Sequence, residues 1–311
     1  MNVQLAVIII NYRMEELTIK MILQELSKVV TPHKTIVVNN EANDISNMLL
    51  SKSLDAQLIL NAKEQKADMT KNVYVLSSVE NLGFARGNNL GAEFCRRSFN
   101  PEFLLFCNND IEFSDIDVAE QLIKKIRTTP RIGVIGPRVV GLDGKEQSPH
   151  PFLSFWDRMV WMYWSTFFYS KEKKIRRFHL DYTQKAKEGF HYYVMGSFFI
   201  VNADDFYQCG MMDSKTFMYA EELILSERMK AIGKGIYYYP QVTVIHAHGA
   251  TTAKHAHGKS QDWQFESLMY YYKAYLHVCW PILQIGRITH YLMKLTKKNK
   301  WREQTSVSLP K

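Results

Sequence analysis

Three polar stretches in this chain of 311 residues carry residue types able to do chemistry, and each interrupts or ends an apolar run. The first is FLLFCNNDIEF, residues 103 to 113, where the apolar run stops at Asn108, Asn109 and Asp110, with Glu112 two residues further on. Magnesium and manganese take oxygen ligands, commonly one or two carboxylates with phosphates and water, so a carboxylate at a strand tip is a candidate ligand. A turn cap is the plainer reading of the same residue. The second stretch places Glu221 and Glu222 at the start of MYAEELILSERMKAIG. Acidic side chains there already gain from the helix dipole; held over a cleft, one of them can take a proton from an attacking hydroxyl. The third is VTVIHAHG, where His246 and His248 alternate, so only one faces a site shared with Asp110. A structural role is the commoner fate of such a histidine. His255 and His257 fall in a Gly/Ala/Lys-rich stretch read as a loop.

The elements that must position these residues alternate through the first half. LAVIII reads as a strand, residues 15 to 29 as a helix, KTIVV as a strand and Asp44 to Leu50 as a short helix. VYVL, a helix near 85 to 98, FLLFC, a helix over 116 to 127 and IGVIG continue the pattern. Short apolar strands separated by helices imply a parallel sheet covered on both faces. Ligands of such sheets bind outside the carboxyl ends of the strands. Asn11 and Tyr12, Asn39 and Asn40, and Asn108 to Asp110 all follow strands, so one sheet edge becomes the candidate site. After residue 190 come YYVMGSFFIV as a strand, a helix from Asp204, the acidic helix and a hairpin-like GIYYYPQVTVIHAHG, giving a mixed, antiparallel half. In NLGFARGNNLG the glycines at 83, 87 and 91 do not match G-x-G-x-x-G, so no dinucleotide fingerprint is present. Their spacing lets a helix approach the sheet closely, while Arg86, Asn88 and Asn89 offer donors to a ligand.

With 46% hydrophobic and 23% charged residues the chain suits one large α/β domain with an appendage, or two small domains. The net charge of +8 favours an anionic partner: nucleic acid, a lipid surface or a phosphorylated small molecule. No nucleic-acid motif is recognised. Cys95, Cys107, Cys209 and Cys279 form no C-x-x-C pair, which argues against zinc and disulfides and for a reduced, cytoplasmic setting. LAVIII is too short for a signal peptide, so secretion is not expected. Residues 152 to 170 and 268 to 296 are strongly aromatic and are followed by KEKKIRR and KKNKWR, but Asp157, Arg158, Lys273 and Arg287 interrupt them as spanning helices. Aromatic belts beside basic clusters suit an anionic bilayer surface; aromatic core packing beneath a solvated basic face suits each region equally.

In this order the segments resemble the family-two inverting glycosyltransferases, in particular the branch of bacterial rhamnosyltransferases and related cell-surface polysaccharide enzymes. The resemblance runs from about residue 5 to residue 250. It is carried by VIIINYR, NLGFARGNNLG, the strand ending in NND where the family usually has N-P-D, the MGSFFIVNADDFYQCGMMDSKTFMYAEELILSERMKAIGKGIYYYP segment, and VIHAHG. It implies an α/β GT-A fold, Rossmann-like, with a mostly parallel central sheet, helices on both faces, a mixed acceptor half and a C-terminal helical tail. The corresponding domains are 1–260, split into a nucleotide-sugar-binding half (1–140) and an acceptor half (141–260), and a tail over 261–311. The implied reaction moves a hexosyl or deoxyhexosyl group, with inversion, from a nucleotide-diphosphate sugar to a hydroxyl of a glycan or lipid-linked acceptor in cell-surface polysaccharide synthesis. A divalent metal, Mg2+ or Mn2+, is implied with it.

Carried over by position, Asn11, Tyr12, Asn39 and Asp44 lie where the family holds base and ribose. Arg86, Asn89 and Asn108 fall near the donor sugar and phosphates. Asp110 takes the metal-ligand position, His246 that of a late metal or phosphate ligand, and Glu222 that of the catalytic base, with Glu221 beside it. Asn39 replaces the usual Asp, Asn109 the usual Pro, Glu222 an Asp, and Ile224 a second acid, departures that bear on donor base and acceptor geometry. The expected location is cytoplasmic and peripheral on the inner membrane face, with no nucleic-acid partner. The alternative is a catalytically inactive member that binds a nucleotide sugar or glycan.

Overall fold

The computed structural model describes residues 3–115, 117–247 and 260–306. Chain packing divides it into two units, Met1–Pro151 with Tyr182–Ser267, and Phe152–Asp181 with Leu268–Lys311. That division differs from a 1–260 body with a 261–311 tail, because residues 152–181 leave the main body and join the C-terminal segment.

The first unit is built on a ten-stranded sheet: β1 (Leu5–Asn11), β2 (His33–Asn40), β3 (Gln57–Ile59), β4 (Val73–Ser78), β5 (Phe103–Cys107), β6 (Ile111–Phe113), β7 (Ile132–Gly141), β8 (Gly189–His191), β9 (Phe198–Asn202) and β10 (Gly235–His246). Their order across the sheet is β3-β4-β2-β1-β5-β9-β7-β10-β6, with β8 paired to β10. β3, β4, β2, β1 and β5 run parallel, while β9 enters antiparallel between β5 and β7. The sheet is buried on both faces. Along β1, Leu5, Val7 and Ile9 point into one apolar core and Ala6 and Ile8 into the other, which is why the strand reads as an uninterrupted apolar run.

Helix Gly83–Ser98 lies on β1 and β2 through its glycines. A Cβ at Gly91 would sit 2.7 Å from Ile8 Cγ2, and one at Gly87 2.9 Å from Ile10 Cδ1. Gly83 opens the helix at φ +70, where a side chain would also meet the Phe217 carbonyl. The expected helix over 15–29 is present as Glu15–Lys20, a wide turn Met21–Glu25 and a tight turn Leu26–Lys28.

Two sequence expectations are corrected. YYVMGSFFIV is a strand only over its last residues, within Phe198–Asn202, because the chain turns at Gly196, where a Cβ would collide with Glu222 Oε1. GIYYYPQVTVIH is one long strand rather than a hairpin. Pro240, which has no N–H to give a ladder, falls where the β10–β7 register shifts between Tyr239 and Thr243, so the strand continues past it.

The second unit, taken by itself, packs helical turns Trp156–Trp161 and Met162–Phe168, helix Lys171–Phe178 and helix Trp280–Ser306. Phe155 fills the notch left by Gly286 and stands edge-on to Tyr272, and Tyr272 donates its hydroxyl to the Leu153 carbonyl at 2.9 Å.

Candidate active site

The carboxyl ends of β1, β2 and β5 lie side by side. Asn11 pairs in register with Asn39 across β1 and β2, and Ile9 with Cys107 across β1 and β5. This brings Asn11, Asn39 and the Asn108–Asp110 tip to one edge, as the order of polar strand ends anticipates.

On the β1–β2 side the polar groups bond to one another. Asn109 Nδ2 donates to Thr18 Oγ1 (2.9 Å), and Thr18 Oγ1 donates to Asn11 Oδ1 (2.8 Å). Asn11 Nδ2 donates to Asn39 Oδ1 (2.8 Å), and Asn39 Nδ2 donates to both Ser46 Oγ and Asn47 Oδ1 (2.9 Å each). Asn47 Nδ2 then donates to Ser77 Oγ at 2.9 Å. The amides of Asn11 and Asn39 are buried, and with Asn11 Nδ2 also donating to Glu15 Oε1 at 3.3 Å both hydrogens of each amide are taken. An amide at 39 suits this path: Ser46 Oγ donates onward to the Asn43 carbonyl, so both partners of Nδ2 accept, and a carboxylate has no hydrogens to supply them. Asn109 in place of proline starts the same chain.

The other donor-side residues are dispersed around this relay. Tyr12 lies under the Arg13 guanidinium, whose carbon is 5.4 Å from the ring centroid, and Arg13 pairs with Glu41 at 2.8 Å. Asp44 is exposed in the first turn of the helix that Asn43 and Ser46 cap. Arg86 is exposed, its Nε donating to the Leu82 carbonyl at 3.0 Å. Asn89 clamps the Met212 backbone from both sides, donating to its carbonyl (2.8 Å) and accepting its N–H (3.1 Å). That arrangement ties the helix to the 212 region and leaves the amide little to offer a ligand. Asn40 Oδ1 and Asn88 Nδ2 are buried without a hydrogen-bond partner among the described residues.

At the β5 tip the pattern reverses. Antiparallel pairing of β10 with β6 sets His246 opposite Ile111, and the Ala247 N–H bonds the Asp110 carbonyl at 3.0 Å. His246 Nε2 then lies 3.3 Å from Asp110 Oδ1, with both side chains buried. On its other side His246 Nδ1 is 2.7 Å from Gln147 Oε1. A carbonyl oxygen only accepts, so Nδ1 carries the hydrogen, and a singly protonated ring points its Nε2 lone pair at a carboxylate oxygen. Asp110 Oδ1 has no hydrogen-bond donor among the described residues. With Nε2 protonated the two side chains form an ion pair; with Nε2 bare they face each other as two acceptors, and a divalent metal taking one carboxylate, one imidazole, phosphates and water would fit that pair. Among the described residues no group of three or more His, Cys, Asp or Glu side chains is arranged for a metal. His248, His255 and His257 lie outside the described residues.

Glu221 and Glu222 open helix Glu221–Ala231 after two left-handed residues, Tyr219 (φ 74) and Ala220 (φ 65). They border a hollow whose walls include Phe84, Tyr193, Phe199 and Met212, and of which Asp110 is not a wall. Glu222 Oε1 accepts the Gly196 N–H at 3.1 Å, and the next residue, Ser197, gives its carbonyl to the Asn108 N–H at 2.8 Å. A two-residue segment thus ties the Glu222 carboxylate to the strand tip that carries Asp110. Glu221 is buried; burial first, and the charge of Glu222 second, hold its carboxyl well above the usual carboxylate range. Its Oε1, like the buried Ser197 Oγ, has no hydrogen-bond partner among the described residues.

Sequence reasoning did not single out Gln147, Thr18, Gly196 or Ser197. Gln147 sits in the turn after β7, far from His246 in sequence, and no motif marks it. Gly196 and Ser197 lay inside what was read as unbroken strand.

Comparison with known proteins places this arrangement in context. An archaeal protein of Haloferax volcanii, low-salt glycan biosynthesis hexosyltransferase Agl10, is 24% identical over 244 residues, which are 78% of this chain and 66% of that protein, so the chain spans slightly less than two thirds of it. The mannosyltransferase PcManGT of Pyrobaculum calidifontis, solved with GDP-Man and Mn2+, superposes with a TM-score of 0.55 at 13% identity, covering 93% of this chain and 70% of that one. GalNAc-T7, solved with UDP, GalNAc and Mn2+, gives a TM-score of 0.53 at 14% identity over 79% of this chain and 44% of that one. These two likenesses show a shared GT-A-like fold. The family profile of glycosyl transferase family 2 matches residues 7–192, more than half of the chain, and the protein belongs to that family.

Proposed function

We propose that the protein is an inverting glycosyltransferase that moves a hexosyl or deoxyhexosyl group from a nucleotide-diphosphate sugar to a hydroxyl of a glycan or lipid-linked acceptor, working at the cytoplasmic face of a membrane in cell-surface polysaccharide synthesis. The observation that carries this reading is the Asp110–His246 pair of facing acceptors, joined through Gly196–Ser197 to the carboxylate of Glu222. Family membership and the Mn2+ and nucleotide sugars of the two solved relatives support it.

Glu222 is the base. Its carboxylate takes the proton of the acceptor hydroxyl as that oxygen bonds to the anomeric carbon; the bond from that carbon to the diphosphate breaks, and its electron pair leaves with the phosphate. Attack opposite the leaving group inverts the centre. Burial favours the proton-bearing form of Glu221, which lowers the competing negative charge beside the base. Asp110 and His246 would hold the divalent cation, Mg2+ or Mn2+, which would supply positive charge to neutralise the leaving diphosphate. The donor lies across the carboxyl edge, with its base near Tyr12 and Asp44 and its sugar and phosphates toward Arg86 and Asn108. The sealed Asn11–Asn39 pair shapes the floor of the base site rather than bonding the base.

The same seal favours a second reading, a donor-binding member without turnover, because the side chain at 39 is withdrawn from ligand. Nucleotide-sugar hydrolysis by purified protein, with and without Mn2+, separates the two. The enzyme reading expects metal-dependent release of nucleoside diphosphate, lost in Glu222→Gln while the donor-induced thermal shift remains. Thermal shifts without any hydrolysis would favour the binder.

A further inference from the structure

The net charge of +8 is not spread over the chain. Residues 152–181 and 268–311, the second unit, hold 14 Lys and Arg against 4 Asp and Glu, a charge of +10, so the sheet-bearing remainder is at −2.

The same unit carries an apolar row that packing does not explain. In helix Trp280–Ser306 the inner face is Leu283, Gly286 and Thr289, all buried, with Met293 half-buried. On another side of the helix Ile285, Ile288, Leu292 and Leu295 form a second row three or four residues apart, 40%, 59%, 36% and 41% exposed. Single exposed aliphatics are ordinary, but a periodic exposed row marks an interaction surface. Arg287 and Lys294 flank it, and KKNKWR follows in the sequence. Tyr163 and Thr296 bond at 3.1 Å, which sets this helix beside Met162–Phe168, whose last residues Phe167 and Phe168 are 59% and 75% exposed. Next in the chain comes helix Lys171–Phe178 with exposed Lys171, Lys173, Arg176 and Arg177.

We infer that this face seats the protein on an anionic lipid surface, with the Ile288–Leu292–Leu295 row and Phe167–Phe168 entering the headgroup boundary and the surrounding Lys and Arg facing lipid phosphates. It rests on the membrane-surface reading above but not on the transfer chemistry. No helix among the described residues is long and apolar enough to cross a membrane, so the contact is with a surface. A second copy of the chain is disfavoured as occupant because two units each carrying +10 repel. Nucleic acid has no use for the aliphatic row.

Sedimentation of the full-length protein with vesicles of phosphatidylcholine, with and without phosphatidylglycerol, tests this. The protein should pellet with the anionic vesicles and stay in the supernatant with the neutral ones, and rising salt should release it. Ile288→Ser/Leu292→Ser/Leu295→Ser should weaken vesicle affinity by about tenfold or more, and Lys173→Glu/Arg176→Glu by at least about fivefold per charge. Both variants should keep the wild-type melting temperature and soluble donor hydrolysis. Failure of the wild type to bind anionic vesicles, or equal binding by the serine variant, would overturn the inference whatever the donor assay shows. A solution dimer dissolved by the serine substitutions, or binding to RNA in place of vesicles, would overturn it in favour of those partners.

Discussion

The two halves of the sheet edge treat polar side chains in opposite ways. Along β1 and β2, Asn109, Thr18, Asn11, Asn39, Asn47 and Ser77 pass hydrogen bonds in one direction, with the neighbouring Asn40 Oδ1 left unmet beside that path among the described residues. At the β5 tip and the helix beyond β9, Asp110 Oδ1, Ser197 Oγ and Glu221 Oε1 are buried with no partner among the described residues. A closed network holds strand ends in place, whereas an unmet buried polar atom costs about 1–3 kcal/mol and is tolerated where a ligand completes it. On the proposed reading the chemistry falls to the second half and the scaffolding to the first, even though both are built from the residue types that mark a site in sequence.

Substitutions on the open side should abolish function and those on the closed side should loosen the fold. The largest effect is expected from Glu222→Gln, with turnover reduced about 10²–10⁴-fold and donor binding retained; an unchanged rate would move the base elsewhere. Asn39→Asp, which restores the family's usual residue, should instead cost roughly 1–3 kcal/mol or more in chemical denaturation, because a carboxylate would face the Asn47 carbonyl oxygen. If Asn39→Asp were neutral in stability and changed the preferred nucleotide, the closed half would be a reader of the base after all.

Gln147 connects the comparison to the metal. Gln147→Leu leaves His246 Nδ1 without its acceptor and should weaken Mn2+ binding about 10–100-fold, with Gln147→Glu recovering it; equal affinities for all three proteins would remove Gln147 from the site. The smallest effect concerns Glu221. Its folded-state carboxyl is raised by burial, so its favourable contribution is complete below the ordinary value of 4.5 and is lost as pH rises toward the higher folded value. Glu221→Gln should flatten that decline, read as a melting temperature that varies less with pH than in the wild type across this range.

Much of this edge was legible in the sequence. Apolar strands ending in Asn or Asp mark the carboxyl side of a parallel sheet, and the Gly83–Gly87–Gly91 spacing marks the helix that lies upon it. Which amides face a ligand was not legible, because that depends on register: Asn11 meets Asn39 only once β1 and β2 are aligned. The His246–Gln147 contact joins residues 99 apart in sequence and has no local signature. Pro240 in a strand reads as a turn until the register shift beside it is seen. The aromatic segment from residue 152 was ambiguous for a different reason, since its periodicity suits a buried core and a lipid surface alike.

Pulsed electron-nuclear resonance on Mn2+ bound with a nucleoside diphosphate addresses the facing acceptors most directly. The expected spectrum shows a directly bound nitrogen that disappears in His246→Ala, together with loss of most bound Mn2+ in Asp110→Ala. Mn2+ held equally well by Asp110→Ala, or a wild-type spectrum without nitrogen coupling, would contradict the account.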